Sequence, residues 1–128
     1  MGDGPVPVSL DDAFGKLTFL RDRTPGSTDE GAFAKLADYR DGGVFIVHYA
    51  GRSEWERHRA GDEVVMVVEG STTMFMLIDG EEVSSTLGAG ELVVVPRAVW
   101  HRFETPDGVK VISVTPQPTD HQTDRPTP

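Results

Sequence analysis

Residues 51–87 read GRSEWERHRAGDEVVMVVEGSTTMFMLIDGEEVSSTL, and their pattern decides the fold class. Glu63–Glu69 is a valine-rich run closed by Gly70, with the length and β-branched composition of a strand that is apolar on both faces. Ser71–Ile78 reads as a second strand. Asp79-Gly80 is the two-residue turn that returns the chain through Glu81–Leu87 as a hairpin. In front of Glu63, Arg59-Ala60-Gly61-Asp62 has the composition of a tight turn.

The same grammar continues outward. Downstream, a Gly88-Ala89-Gly90 turn leads into Glu91–Val95 and Pro96, then Val99–Glu104, a turn at Thr105-Pro106-Asp107-Gly108, and Val109–Thr115. Upstream, Phe33–Tyr39 and Val44–Tyr49 are joined through Asp41-Gly42-Gly43 as a hairpin. Residues 16–20 (KLTFL) are expected as a first edge strand, followed by a loop at Thr24-Pro25-Gly26-Ser27. The domain plan is an N-terminal arm over residues 1–15, with at most a helical turn in residues 9–15, a folded domain over residues 16–115, and a proline-rich tail over residues 116–128 expected to be extended or disordered. Fourteen glycines and nine prolines punctuate these short runs, and no helix-period segment of useful length interrupts them. The expectation is an all-β domain of about eight to ten short antiparallel strands, built as a sandwich, jelly roll or barrel.

With 128 residues the chain has the length of one domain with a real core. It has no cysteine, which excludes a disulfide framework and a thiolate metal site. The formal charge of −9 repels phosphate backbones and anionic lipid. The one basic cluster, Arg52, Arg57 and Arg59, is interleaved with Glu54 and Glu56 and reads as a mixed surface. Neither a nucleic-acid nor a membrane partner is expected. No apolar run approaches the roughly 20 residues that span a bilayer. The acidic start MGDGPVPVSLDD lacks the basic and apolar regions of a secretory signal, so a cytoplasmic location is expected.

Chemistry is concentrated near residues 56–63 and 101. Glu56 and His58 are spaced i, i+2, which on a strand puts both side chains on one face, about 6.6–6.8 Å apart at the backbone. Imidazole is the commonest neutral metal ligand and a carboxylate adds a hard oxygen beside it. Alone, an E-x-H is ordinary on a solvated strand face. Glu63 is less ordinary, because a carboxylate at the head of an apolar strand is costly to bury unless it is paired or coordinates a cation. His101 stands between Trp100 and Phe103, where it can be a core histidine bonded to a carbonyl or a ligand.

Two segments resemble the motifs of the cupin superfamily. GRSEWERHRAGDEVVMVVEG is similar to the first motif: His58 takes the place of the second histidine of H-x-H, four residues separate it from Glu63, and six separate Glu63 from Gly70. GELVVVPRAVWHRFET is similar to the second: Gly90, five residues, Pro96, and then His101 at the family's spacing. The resemblance covers residues 50–105 most clearly and is to small single-domain cupins with a conserved barrel. Four positions depart from it. Glu56 stands where the family has the first histidine, and Gly51 lies one place nearer than the family's glycine. Ala98 replaces the glycine of P-x-G, and Thr105 replaces the closing asparagine.

The resemblance implies a double-stranded β-helix (the jelly-roll cupin barrel) and a divalent-metal site made of Glu56, His58, Glu63 and His101. Two carboxylates bring a bound divalent ion to about zero local charge, against about +1 in the family's three-histidine set, so the site is a weaker Lewis acid. Iron, manganese, nickel and zinc all suit it. If Glu56 swings away, His58, Glu63 and His101 form a two-histidine, one-carboxylate set with open positions. The competing reading pairs Glu56 with an arginine and leaves a barrel that only binds a small molecule.

The fold does not name a reaction. A metal-dependent oxygenase or isomerase of a small organic substrate is the leading expectation, and a non-catalytic binding or sensing cupin is the alternative. No catalytic residue and no organic cofactor is assigned. Val65 and Val67 with Glu63, and Val99 and Phe103 with His101, are in phase to line a cavity, which Met74 and Met76, or Phe75 on the other face, can join; His48, Tyr49 and Arg97 are rim candidates, each with an ordinary structural role as its rival. Small cupins commonly pair through an added N-terminal strand, and the edge-forming segments 16–20 and 33–39 point to a C2 homodimer.

Overall fold

The computed structural model describes residues 4–28 and 31–127. Its one α-helix, α1 (Leu10–Gly15), starts where Ser9 Oγ accepts a hydrogen bond from the Asp12 amide at 3.2 Å, with Asp11 and Asp12 in the first turn. Hydrogen bonds from Lys16 N to Ala13 O and from Leu17 N to Phe14 O carry the helix end past Gly15. The edge strand expected over residues 16–20 is therefore displaced: strand β1 is Leu20–Arg23.

Eight further strands follow: β2 (Phe33–Tyr39), β3 (Gly42–Arg52), β4 (Trp55–His58), β5 (Glu63–Ile78), β6 (Glu81–Gly88), β7 (Leu92–Val95), β8 (His101–Pro116) and β9 (Thr119–Gln122). They form one nine-stranded sheet, antiparallel except where β1 runs parallel to β3. This is the expected all-β jelly-roll barrel. The Asp79-Gly80 hairpin closes β5 onto β6 in register from Ile78↔Glu81 to Ser71↔Gly88.

Four runs expected as separate strands are two continuous ones. β5 joins Glu63–Glu69 to Ser71–Ile78, and β8 joins His101–Glu104 to Val109–Thr115. The two lie side by side, from Val64↔Val114 to Met76↔His101, and both bend where Gly70 faces Val109. Gly70 has φ +81° and Gly108 φ +103°. A Cβ at Gly70 would be driven into the Gly108 carbonyl oxygen, so only glycine lets the strands cross this closely. The glycines turn the strands from one half of the barrel into the other instead of ending them.

The bend also resets side-chain phase. Glu63, Val65 and Val67 point inward, but beyond the register shifts at Val67/Glu69 and Gly70/Thr73 it is Thr72, Met74 and Met76 that do. An extra residue in one strand of a pair reverses the alternation. The apolar members of both sets meet Leu87, Val95, Val109, Val111 and Tyr49 in one core. At the other end of the chain, β9 pairs with β4 from Trp55↔Gln122 to His58↔Thr119. Part of the segment after Pro116 is thus a barrel strand beside the site.

Candidate metal centre

Each candidate ligand is placed by a short local device. Glu56 and His58 are two apart on β4 and both face the cavity, as their spacing requires. The turn over residues 59–62 then brings Glu63 to the head of β5. His101 opens β8, in register between Glu56 on β4 and Met76 on β5. The turn before it is clasped to β4 and to the 59–62 turn: Ala98 N donates to His58 O at 2.9 Å, and Arg97 N donates to Asp62 Oδ1 at 2.8 Å. Ala98 holds φ +66°, so alanine adopts here the left-handed backbone that the family's glycine takes at lower cost.

His58, Glu63 and His101 are buried, and their inner atoms converge. Glu63 Oε1 is 3.1 Å from His101 Nε2 and 3.3 Å from His58 Nε2. None of these three buried atoms has a hydrogen-bond partner of acceptable geometry. The outer atoms are all engaged. His101 Nδ1 lies 3.0 Å from Val99 O, an acceptor only, which assigns the proton to Nδ1. His58 Nδ1 lies 2.9 Å from Thr119 Oγ1, whose own hydrogen goes to Gln117 Oε1, so Nδ1 is again the donor. Thr115 Oγ1 donates to Glu63 Oε2 at 2.6 Å. In the neutral rings both Nε2 atoms therefore turn lone pairs toward a carboxylate oxygen, an arrangement that calls for a cation between them.

The electrostatics show the same demand for positive charge in the charged state of the rings. Burial pushes the Glu63 carboxyl upward, but His101 and His58, when each carries a proton on the Nε2 facing Oε1, outweigh it and hold Glu63 at about 2. Burial lowers His101, but the facing Glu63 carboxylate prevails and raises it. In the neutral rings that proton is absent and the unmatched atoms face one another. Glu56 is raised, by burial first, with His101 and Arg23 opposing. Its carboxylate shares a further grouping with His58 and His101, the three donor atoms lying within 4.8 Å of one another. Arg23 Nη2 stands 3.9 Å from Glu56 Oε1, a long ion pair, and its guanidinium also covers the Tyr49 ring at 4.6 Å.

Glu56, His58 and Glu63 open onto a cavity of about 430 Å³. Val65, Phe103 and Tyr49 line it as expected, joined by Phe33 and Phe45. Val67, Met74 and Met76 belong to the packed core, with Val99 against it. His48 packs on Phe19 at 4.5 Å outside the cavity, and Arg97 is exposed on its turn. Thr115, Thr119, Glu54 and His121 are additional site residues that sequence reasoning missed. Thr119–Gln122 are all polar, so no alternation marks β9 in the sequence, and four residues are too few to carry a period.

A profile of the cupin domain family, Cupin_2, matches residues 43–115, more than half of the chain. The chain belongs to the cupin family. This cupin is 27% identical over 108 residues to the acireductone dioxygenase of Rhodopseudomonas palustris (strain TIE-1), covering 77% of this chain and 64% of that enzyme. It therefore spans a little under two thirds of the relative's length. Among solved structures, a cupin-2 domain protein of Shewanella frigidimarina matches with a TM-score of 0.65 and 24% identity, over 86% of this chain and 94% of that one. Hydroquinone 1,2-dioxygenase PnpCD, solved with Cd²⁺ and 4-hydroxybenzonitrile, matches with a TM-score of 0.58 and 18% identity, over 66% of this chain and 63% of that one. Both likenesses are of fold. Among the described residues no helix is long and apolar enough to cross a membrane.

Proposed function

We propose that this cupin is a metal-dependent enzyme of oxygenase or isomerase type acting on a small organic substrate in the cavity. The observation that carries the reading is the convergence of His58 Nε2, Glu63 Oε1 and His101 Nε2, buried and unpartnered, while each side chain is held from behind. Two neutral imidazoles and a carboxylate suit iron, manganese, nickel or zinc, with Glu56 as fourth ligand. A bound ion supplies Lewis-acid or redox chemistry. The chain does the rest: Val99 O, Thr119 and Thr115 orient the three ligands, Phe45 and Phe103 exclude water around a substrate, and Glu56, nearest Arg23, is the ligand able to yield a position. The 27% identity to a dioxygenase supports the oxygenase reading.

Elemental analysis of protein purified without an affinity tag tests this. At least one equivalent of a divalent metal per chain is expected, falling to near zero in His101→Ala, which loses one of two nitrogen donors. Glu56→Gln should weaken binding less than Glu63→Gln. A parent without metal would sink the proposal. It would promote a non-catalytic small-molecule binder, the reading that Arg23 beside Glu56 favours. We further propose a cytoplasmic homodimer without nucleic-acid or membrane partners; light scattering should give twice 13.9 kDa, and a monomer mass contradicts it.

A further inference from the structure

We propose that a second divalent cation binds at the cavity mouth between Glu54, Glu56 and His121, with Glu56 bridging it to the ion inside. The inference rests on the metal reading above and extends it to a site that reading does not use.

Register creates the site. Glu56 on β4 is paired across one edge with His101 on β8 and across the other with His121 on β9. Residues directly opposite on neighbouring strands put their side chains on the same face, so a histidine flanks Glu56 on each side. Glu54 is two residues before Glu56 and joins the same wall. The donor atoms of Glu54, Glu56 and His121 lie within 4.8 Å of one another, the same closeness found for Glu56, His58 and His101. Glu56 is the one residue common to both groups. His121 Nδ1 already lies 2.9 Å from Glu54 Oε1, so two of the three ligands are in contact before any ion arrives.

The chemistry of residue 56 gives the arrangement its meaning. A carboxylate has two oxygens and can hold one cation on each. An imidazole that binds an ion through one nitrogen has its second nitrogen on the far side of the ring, aimed away. A histidine, which the cupin motif has at this position, would serve the inner ion alone; glutamate makes the wall between β8 and β9 continuous. The outer donor set of two carboxylates and one imidazole suits Mn²⁺, Fe²⁺ or Zn²⁺ and leaves positions facing the cavity mouth. The opposing group is Arg23, whose guanidinium stands 3.9 Å from Glu56 and competes with the outer cation for it.

Metal-free protein titrated with Mn²⁺, with the free ion counted by electron paramagnetic resonance, reads the number of sites directly. The parent should take up two equivalents per chain and show a spin-coupled signal when filled. His121→Ala and Glu54→Gln should each take up one, uncoupled. Glu56→His should also take up one, because it restores an inner ligand while breaking the bridge. His121 is half exposed, so its loss should leave the circular dichroism of the metal-free protein unchanged. One equivalent in the parent, or two in His121→Ala, would overturn the second site and leave the inner one standing. No uptake at all would overturn both.

Discussion

Strand β5 passes through two regions of the barrel that share a backbone and differ in what lies inside them. From Glu63 to Val67 its inward side chains lead from an open cavity, where Glu63 faces unpartnered imidazole nitrogens. From Met74 to Met76 they are sealed in the core, Met76 directly across from His101. A buried polar atom left unmatched costs about 1–3 kcal/mol, so the open half spends stability that the closed half must supply. The difference teaches how the site stays assembled. The closed half forms a floor beneath His101, and the open half keeps its donors unmatched because that floor prevents their rearrangement.

The contrast predicts separable effects. The largest is expected from Met74→Ala in the sealed half, which should cost about 2–5 kcal/mol in denaturant unfolding while the folded variant keeps its full metal content. If metal content fell along with stability under folding conditions, the two halves would not be separable. Next is Thr119→Val on the open side. It leaves His58 Nδ1 without its acceptor and should weaken metal binding about tenfold to hundredfold in a chelator competition. An unchanged affinity would mean that Thr119 does not hold the ring. The smallest effect belongs to the turn that links the regions: Ala98→Gly should add about 1 kcal/mol by relieving the positive φ, without altering metal stoichiometry. A loss of stability in thermal melts would show that the methyl group packs usefully there.

Much of this was legible in the chain because it depends on near neighbours. The E-x-H pair faces one way on any strand, the 59–62 turn delivers Glu63 at a fixed distance, and Asp79-Gly80 dictates a two-residue hairpin. The errors arose where distant segments meet. Gly70 and Gly108 look like strand ends, since glycine usually interrupts a strand, and they become bends only because each stands against the other. Met74 and Met76, offered as cavity residues, do point inward because a bulge changes the phase set by Glu63, but they lie beyond the bend, in the closed core. Thr119 and His121 sit in a proline-rich stretch whose strand character comes from pairing with β4.

What the sequence by itself determined is therefore the all-β class and the hairpins and turns, set by a period of two and by local turn chemistry, together with four candidate ligands that its resemblance to the cupin motifs implies. Only the tertiary structure decided which atoms of those ligands are left unmatched, which residues support them from behind, and that Glu56 lies between two histidines. Those facts follow from cross-strand register, which joins residues as far apart as Glu56 and His121 and is settled by packing of the whole barrel rather than by any short segment.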